Sequence, residues 1–196
     1  MFGRHLLKPL LLVGLLAAAG LADSPLTSTD FWQVYGDVPQ VVSAHELGEL
    51  NESLCAYLLS SATIDRKAAV INALGWNIDG KQNAAVFREA LVKKYASPDL
   101  ESKWSAEEAF CLGYLMAMDD YQHSEPALPY LRKAHQARPR SYTIAVIEAL
   151  VQAQNTSDFR EGWRIVARLQ QDKRLNKDLR GGARDAILDY MRPSPP

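Results

Sequence analysis

SAEEAFCLGYLMAMDDYQHSEPALPYLRKAHQARP, residues 105 to 139, is the stretch that decides the fold. Ser105 is followed three residues later by Glu108, the arrangement of a capping box that begins an α-helix. Apolar residues then recur at helical spacing, and a polar turn with prolines separates them from a second helical pattern. We therefore predict a helical hairpin here, with further hairpins packed against it.

The rest of the chain carries the same kind of signal. Ser43 with Glu46 is a second capping box and predicts one helix to about Ser61, and Thr63 begins another helix that ends near Gly75. No stretch alternates apolar and polar residues as a strand does. The fold class is therefore all-α, built as stacked helical hairpins in a solenoid or as a compact helical bundle. Other predicted helices are a short one around Phe31 to Tyr35, then Ala84 to Tyr95, Ile144 to Gln154, Trp163 to Gln171 and Lys177 to Met191, the last weakened by Gly181 and Gly182 at its middle.

The helix pairs recur every 34 to 38 residues, as the positions of Leu74-Gly75, Leu112-Gly113 and Leu150 show. In the middle unit Leu112 and Gly113 are followed by Ala127, Leu131, Ala134 and Pro139. That order and spacing resemble the tetratricopeptide repeat, over about a third of the chain that follows the leader. The resemblance implies further hairpins at Ile71 to Tyr95 and Ala145 to Gln171.

The resemblance also implies a binding surface. In tetratricopeptide domains the first helix of each hairpin lines a concave groove that binds peptides or partner proteins. The positions of this chain that correspond to the groove are Asn72, Trp76, Asp79, Glu107, Phe110 and Tyr114. The alternative is that the aromatic members, Trp76, Phe110 and Tyr114, belong to the core.

Residues 1–22 have the three-part layout of a secretory signal peptide: basic residues at Arg4 and Lys8, an apolar run, and small residues at Gly20 and Ala22. An uncleaved membrane anchor is the alternative, but the apolar run is short for a bilayer span. We expect a periplasmic or secreted protein, with one helical domain at residues 23–192 and a disordered tail at 193–196.

Composition and charge exclude some classes of partner. Without Arg4 and Lys8 the chain has 20 basic and 23 acidic residues, a net charge of −3. A nucleic-acid-binding protein needs a basic footprint, so nucleic acid is not an expected partner. The mature sequence predicts no membrane span, and it sets no oligomeric state.

Two cysteines, Cys55 and Cys111, lie in apolar helical stretches of the exported part. In an oxidising compartment two thiols that meet in the fold form a disulfide. Two separate buried thiols are the alternative, and the sequence leaves both open.

Three short patterns point towards chemistry, but two lack a required group and the third has a simpler explanation. Residues 75–82, GWNIDGKQ, have the glycine and lysine positions of a phosphate-binding loop, yet Gln82 stands where the loop needs a hydroxyl. Asn77 and Asp79 before Gly80 lack the twelfth-position carboxylate of a calcium loop. The acidic turn, with Asp119, Asp120, His123 and Glu125, is typical of a solvated turn and helix start. We therefore expect no cofactor and no metal.

The function we expect is binding of a protein or peptide in the cell envelope, without catalysis. A small periplasmic inhibitor or immunity protein that neutralises a toxin or enzyme is the first alternative, because size and export signal suit it equally. A hydrolase whose catalytic groups meet only in the fold is the second alternative.

Overall fold

The computed structural model describes residues 24–96 and 101–192. The predicted signal peptide at 1–22 and the predicted tail at 193–196 lie outside these residues. Within the two described ranges the chain forms nine α-helices, several short 3-10 helices and no strand, which confirms the all-α prediction. The helices are α1 Pro39–Leu47, α2 Glu52–Leu59, α3 Ile64–Ala73, α4 Asn83–Tyr95, α5 Ala106–Asp119, α6 Leu128–Ala137, α7 Tyr142–Gln154, α8 Phe159–Gln171 and α9 Gly181–Met191.

The capping box that begins α5 is confirmed. The Ser105 hydroxyl accepts a hydrogen bond from the Glu108 backbone N–H at 3.2 Å. In return, the Glu108 carboxylate accepts one from the Ser105 backbone N–H at 2.7 Å. Ser141 caps α7, because its hydroxyl accepts a hydrogen bond from the Ile144 backbone N–H at 3.3 Å. These caps satisfy N–H groups that have no partner inside their helix.

The single helix predicted from Ser43 to Ser61 is wrong, because the structure has two helices there. Helix α1 begins before Ser43, so this serine is interior and caps nothing. Gly48 ends α1 in the left-handed region, with φ of 67°, a conformation that glycine adopts without strain. Asn51 then caps α2 by accepting a hydrogen bond from the Leu54 backbone N–H at 2.9 Å.

Helices α5 and α6 form the predicted central hairpin, and Gly113 is its closest point. A Cβ atom at Gly113 would lie 2.9 Å from Leu131 Cγ, 3.0 Å from Tyr130 Cβ and 3.1 Å from the Ala127 carbonyl oxygen. Leu131 and Ala134 are fully buried in this seam. Gly113, Ala127 and Leu131, three residues of the repeat pattern, therefore meet where the two helices pack together.

A second hairpin consists of α7 and α8, and it packs on the first through contacts between α6 and α7. Gly162 of α8 lies against Ala153 of α7, where an added Cβ would be 3.1 Å from Ala153 Cβ. The predicted hairpin from Ile71 to Tyr95 is wrong. Helix α4 packs against α5, and α3 packs against α1 and α5, while α3 and α4 make few contacts with each other.

The two ends of the described chain meet. The 3-10 helix Phe31–Tyr35 packs against both α3 and α9. Arg180, just before α9, places its guanidinium 4.2 Å from the centre of the Tyr35 ring and pairs with the Asp37 carboxylate. Gly181 begins α9, so the predicted cost of glycines at the middle of this helix does not apply.

None of the helices in the described ranges is both long and apolar enough to cross a membrane.

Candidate functional site

Three of the predicted partner-binding residues are in the core. Asn72, Phe110 and Tyr114 are buried. This corrects the prediction of an open groove at these positions, since a partner would reach them only if the fold opened. The alternative offered for the aromatic residues, a place in the core, applies to Phe110 and Tyr114.

Asn72 holds the chain's own N-terminal segment, residues 24–35. Its side-chain oxygen accepts a hydrogen bond from the Trp32 backbone N–H at 2.9 Å. Its amide nitrogen donates to the Thr29 carbonyl at 3.1 Å and to the Tyr114 hydroxyl at 3.3 Å. The amide of Asn72 therefore recognises backbone groups, but those groups belong to this chain.

Glu107 is half-buried and belongs to a charged network. Its carboxylate lies 3.1 Å from the ammonium of Lys67, which is almost completely buried, and 2.8 Å from the guanidinium of Arg138. The Lys67 ammonium also donates to the Ser60 carbonyl at 2.7 Å. A buried charge needs such partners, so the main work of Glu107 is to stabilise Lys67.

Trp76 and Asp79 are the predicted site residues nearest the surface on the loop after α3. Trp76 is half-buried and lies edge-on to the Tyr121 ring, with 5.1 Å between ring centres. Asp79 is exposed. The six predicted residues therefore do not form one surface, and only Asp79 is fully available to a partner.

Cys55 and Cys111 are both free thiols and both buried. Burial raises the pKa of the Cys111 thiol to about 12 and also raises the pKa of the Cys55 thiol. Of the two alternatives left by the sequence, the structure has separate thiols. Their raised pKa values disfavour the reactive thiolate form.

Lys81 is the lysine of the sequence that resembles a phosphate-binding loop, and its side chain is bound by two backbone carbonyls. Its ammonium donates to the Gly48 carbonyl at 2.7 Å and to the Leu74 carbonyl at 2.5 Å. These carbonyls lie at the C-terminal ends of α1 and α3, where the helix dipole attracts positive charge. Lys81 thus joins two helix ends.

An apolar patch lies beside this lysine. It consists of Leu47, Ile78 and Val86, whose exposed fractions are 51%, 63% and 38%. Leu47 and Val86 line a cleft of about 400 Å³. Ile78 is not a lining residue, but it is on the loop that contributes two further lining residues, Asn77 and Gly80. Apolar side chains that cluster on a surface mark interaction sites.

Sequence reasoning missed this patch. The helical pattern placed Leu47 in the buried stripe of a longer helix, and Gly48 instead ends that helix and leaves Leu47 exposed. Val86 was outside the apolar stripe of α4, which contains Phe87 and Leu91. The position of Val86 beside this stripe could have indicated an exposed apolar residue, because such a residue faces solvent or a partner.

The walls of the cleft are fixed by hydrogen bonds between distant parts of the chain. The Leu50 backbone N–H donates to the Asn83 side-chain oxygen at 2.8 Å. The Ala84 backbone N–H donates to the Asp119 carboxylate at 2.7 Å, and the Lys81 backbone N–H donates to the Asp119 carbonyl at 3.0 Å. A surface held in one conformation loses less entropy when a partner binds.

Asp119 is buried beneath this region. One of its carboxylate oxygens, Oδ1, has no hydrogen-bond partner in the described part of the chain. Burial raises the pKa of the Asp119 carboxyl above its usual range, although the N–H groups of Ala84 and Asn83 and the charge of Lys81 act in the opposite direction. The folded protein therefore binds this proton more tightly than the unfolded chain does.

Asp119→Asn is expected to remove a pH-dependent loss of stability. Because the folded pKa is raised, the stabilisation from protonated Asp119 is complete below the ordinary carboxyl pKa and is lost as the pH rises through the folded pKa. Asparagine keeps an oxygen for the Ala84 N–H and never ionises. Urea unfolding from about pH 3 to about pH 7 should show the variant gaining stability relative to wild type as the pH rises.

The control is Asp79→Asn, which also removes one negative charge but at an exposed position. A stability difference between Asp119→Asn and wild type that stays constant, or falls, with rising pH would contradict this account of Asp119.

In the acidic turn, Asp120, His123 and Glu125 are exposed, whereas Asp119 is buried. The His123 ring nitrogen Nδ1 lies 3.2 Å from the Asp120 carboxylate, and both side chains are mostly in solvent. In the ranges that the structure describes, no group of three histidine, cysteine, aspartate or glutamate side chains is placed to hold a metal ion.

A scan of protein-family models, a search of curated proteins and a search of solved structures found no match to this chain.

Proposed function

We propose that this chain is an exported, non-enzymatic protein that binds a protein partner in the cell envelope through the apolar patch of Leu47, Ile78 and Val86. The observation that carries the proposal is the exposure of three apolar side chains in one region: Leu47 and Val86 line the cleft, and Ile78 is on the loop that contributes Asn77 and Gly80 to it. Exposed Ile78 in particular offers an apolar anchor whose burial at an interface would be favourable.

The surroundings of the patch indicate the character of the partner. Glu49 lines the cleft, and Asp79 follows Ile78 directly. An apolar centre with a charged rim is the usual anatomy of a protein interface. The partner surface that fits it has an apolar residue at its centre and basic residues around it.

The test is quantitative capture by the tagged chain of residues 23–196 from an envelope extract. Ile78→Glu should weaken capture of the partner by about tenfold or more, because it places a charge in the centre of the interface. Since Ile78 is mostly exposed, the thermal unfolding midpoint of the Ile78→Glu variant should stay close to that of wild type.

Phe159→Glu is the matched control, because Phe159 is 44% exposed but lies outside the patch. Equal loss of capture in both variants, or no loss in Ile78→Glu, would overturn the proposal. The identity of the partner separates the two binding functions. An inhibitor should capture a single enzyme or toxin in a one-to-one complex and abolish its activity. Capture of other envelope proteins would indicate a protein that binds envelope partners without inhibiting them.

A further inference from the structure

Charge is divided unevenly along this chain. Residues 126–196 contain 13 basic and 7 acidic residues, whereas residues 23–125 contain 7 basic and 16 acidic residues. The net charge of −3 therefore conceals a C-terminal part that is positive by 6. Such a separation creates local fields that a small net charge does not reveal.

Part of this positive charge surrounds a groove. Two depressions of about 610 Å³ and 590 Å³ adjoin each other and share Leu169, Asp172 and Leu175. Tyr142 and Leu188 add further apolar surface to the second depression. We call the two depressions together the basic groove. It shares no residue with the apolar patch.

The rim of the basic groove is positive. Among its lining residues six are basic and two are acidic, with His135 counted as neutral; the basic ones are Arg140, Lys173, Arg174, Lys177, Arg184 and Arg192, and the acidic ones are Asp172 and Asp185. Asp172 pairs with Arg174 at 2.7 Å, and Asp185 pairs with Arg184 at 3.2 Å. Both acidic groups are therefore already matched within the groove.

Three cations of the rim have no such match. Arg140, Lys173 and Lys177 form no ion pair with a carboxylate in the described ranges. Arg140 uses one N–H to donate to the Arg174 carbonyl at 3.3 Å, which positions the side chain and leaves its charge uncompensated. Arg140, Lys173 and Lys177 are exposed.

We infer that the basic groove binds an acidic, partly apolar peptide segment of a partner protein. Carboxylates of the segment would pair with Arg140, Lys173 and Lys177 at the rim. Its apolar side chains would lie on Leu169 and Leu175 at the floor. The combination of unmatched positive charge and an apolar floor fits alternating acidic and apolar residues.

Other anionic ligands fit the groove less well. A nucleic acid offers phosphates along its whole length and would leave the leucine floor without an apolar partner. The surface of an anionic membrane is broad, whereas these residues line depressions. A peptide segment supplies both carboxylates and apolar side chains within one narrow chain.

The experiment measures binding of a fluorescein-labelled 12-residue peptide of alternating glutamate and leucine to the chain of residues 23–196 by fluorescence anisotropy. Lys173→Glu combined with Lys177→Glu should weaken binding by about tenfold in low salt, because two attractive contacts become repulsive. A peptide with glutamine in place of each glutamate should bind at least about tenfold more weakly to the wild-type chain.

The control variant combines Lys93→Glu with Lys103→Glu, which changes the net charge equally at exposed positions outside the groove. Its affinity for the acidic peptide should stay within about twofold of wild type. Equal loss in the two variants would show attraction by overall charge and would overturn the proposal. So would equal binding of the glutamine peptide.

Two further probes test whether the groove binds the other anionic ligands. Vesicles containing phosphatidylglycerol and a 20-base-pair DNA duplex should bind more weakly than the acidic peptide, and their binding should respond equally to the groove and control variants. Stronger binding of either probe than of the peptide, lost only in the groove variant, would replace the peptide proposal.

Discussion

Replacing Asn72 by alanine is expected to lower the free energy of unfolding by about 3 kcal/mol. The amide of Asn72 makes three buried or half-buried hydrogen bonds, to the Trp32 N–H, the Thr29 carbonyl and the Tyr114 hydroxyl. Its removal leaves these groups without the bonds that offset their burial, at about 1 kcal/mol each. The loss should be seen as a lower urea midpoint.

We also expect the destabilisation by Asn72→Ala to be greatest near residues 24–35. Because Asn72 joins α3 to residues 24–35, hydrogen exchange of that segment should accelerate more than exchange in the α5/α6 hairpin. Asn176→Ala is the control, since Asn176 is exposed and its side chain makes no hydrogen bond to the described residues; we expect a change below about 0.5 kcal/mol. Unchanged exchange in residues 24–35 would show that Asn72 does not hold the segment.

Gly113→Val is expected to destabilise the protein by about 3 kcal/mol through overpacking. Even a single Cβ atom would approach Leu131, Tyr130 and the Ala127 carbonyl to between 2.9 and 3.1 Å, and valine adds two methyl groups beyond it. Since the carbonyl is backbone, α5 and α6 would have to separate. Chemical denaturation followed by far-ultraviolet circular dichroism measures the effect.

Gly181→Val provides the matched control, because nothing lies within 4 Å of a Cβ atom at Gly181. This change should alter stability by less than about 0.5 kcal/mol. Combining Gly113→Val with Leu131→Ala should cost less than the sum of the two single changes, because the smaller side chain makes room. Additive costs, or a tolerated Gly113→Val, would contradict the close seam.

Local signals in the sequence were sufficient for much of the helical architecture. The capping box of Ser105 and Glu108 involves residues three positions apart, so its geometry follows from the sequence itself. The seam around Gly113 was also predictable, because a glycine opposite Leu131 and Ala134 allows close approach of two helices. Where a local signal conflicted with a stronger one, the prediction failed. Helix α1 begins at Pro39, so the apparent capping box at Ser43 lies inside the helix, and Gly48 then ends this helix in the left-handed conformation.

The candidate site was much less predictable. Asp79 was identified from the sequence and is exposed beside the apolar patch, but Phe110 and Tyr114 are core residues. A helical pattern gives the spacing of apolar residues but not which neighbour covers them. For Tyr114 the neighbourhood includes residues 24–35, a segment far away in sequence.

The sequence by itself determined the all-α class and the central hairpin, because helix caps, helical spacing and a tight glycine seam act over a few residues or between adjacent helices. Only the tertiary structure decided which residues are buried, which are exposed and which join distant segments. Lys81 joins the ends of α1 and α3, and Asn72 holds the N-terminal segment. Leu47 and Ile78 are left exposed. These roles depend on contacts across 30 or more residues, such as Lys81 with Gly48, which local sequence patterns do not specify.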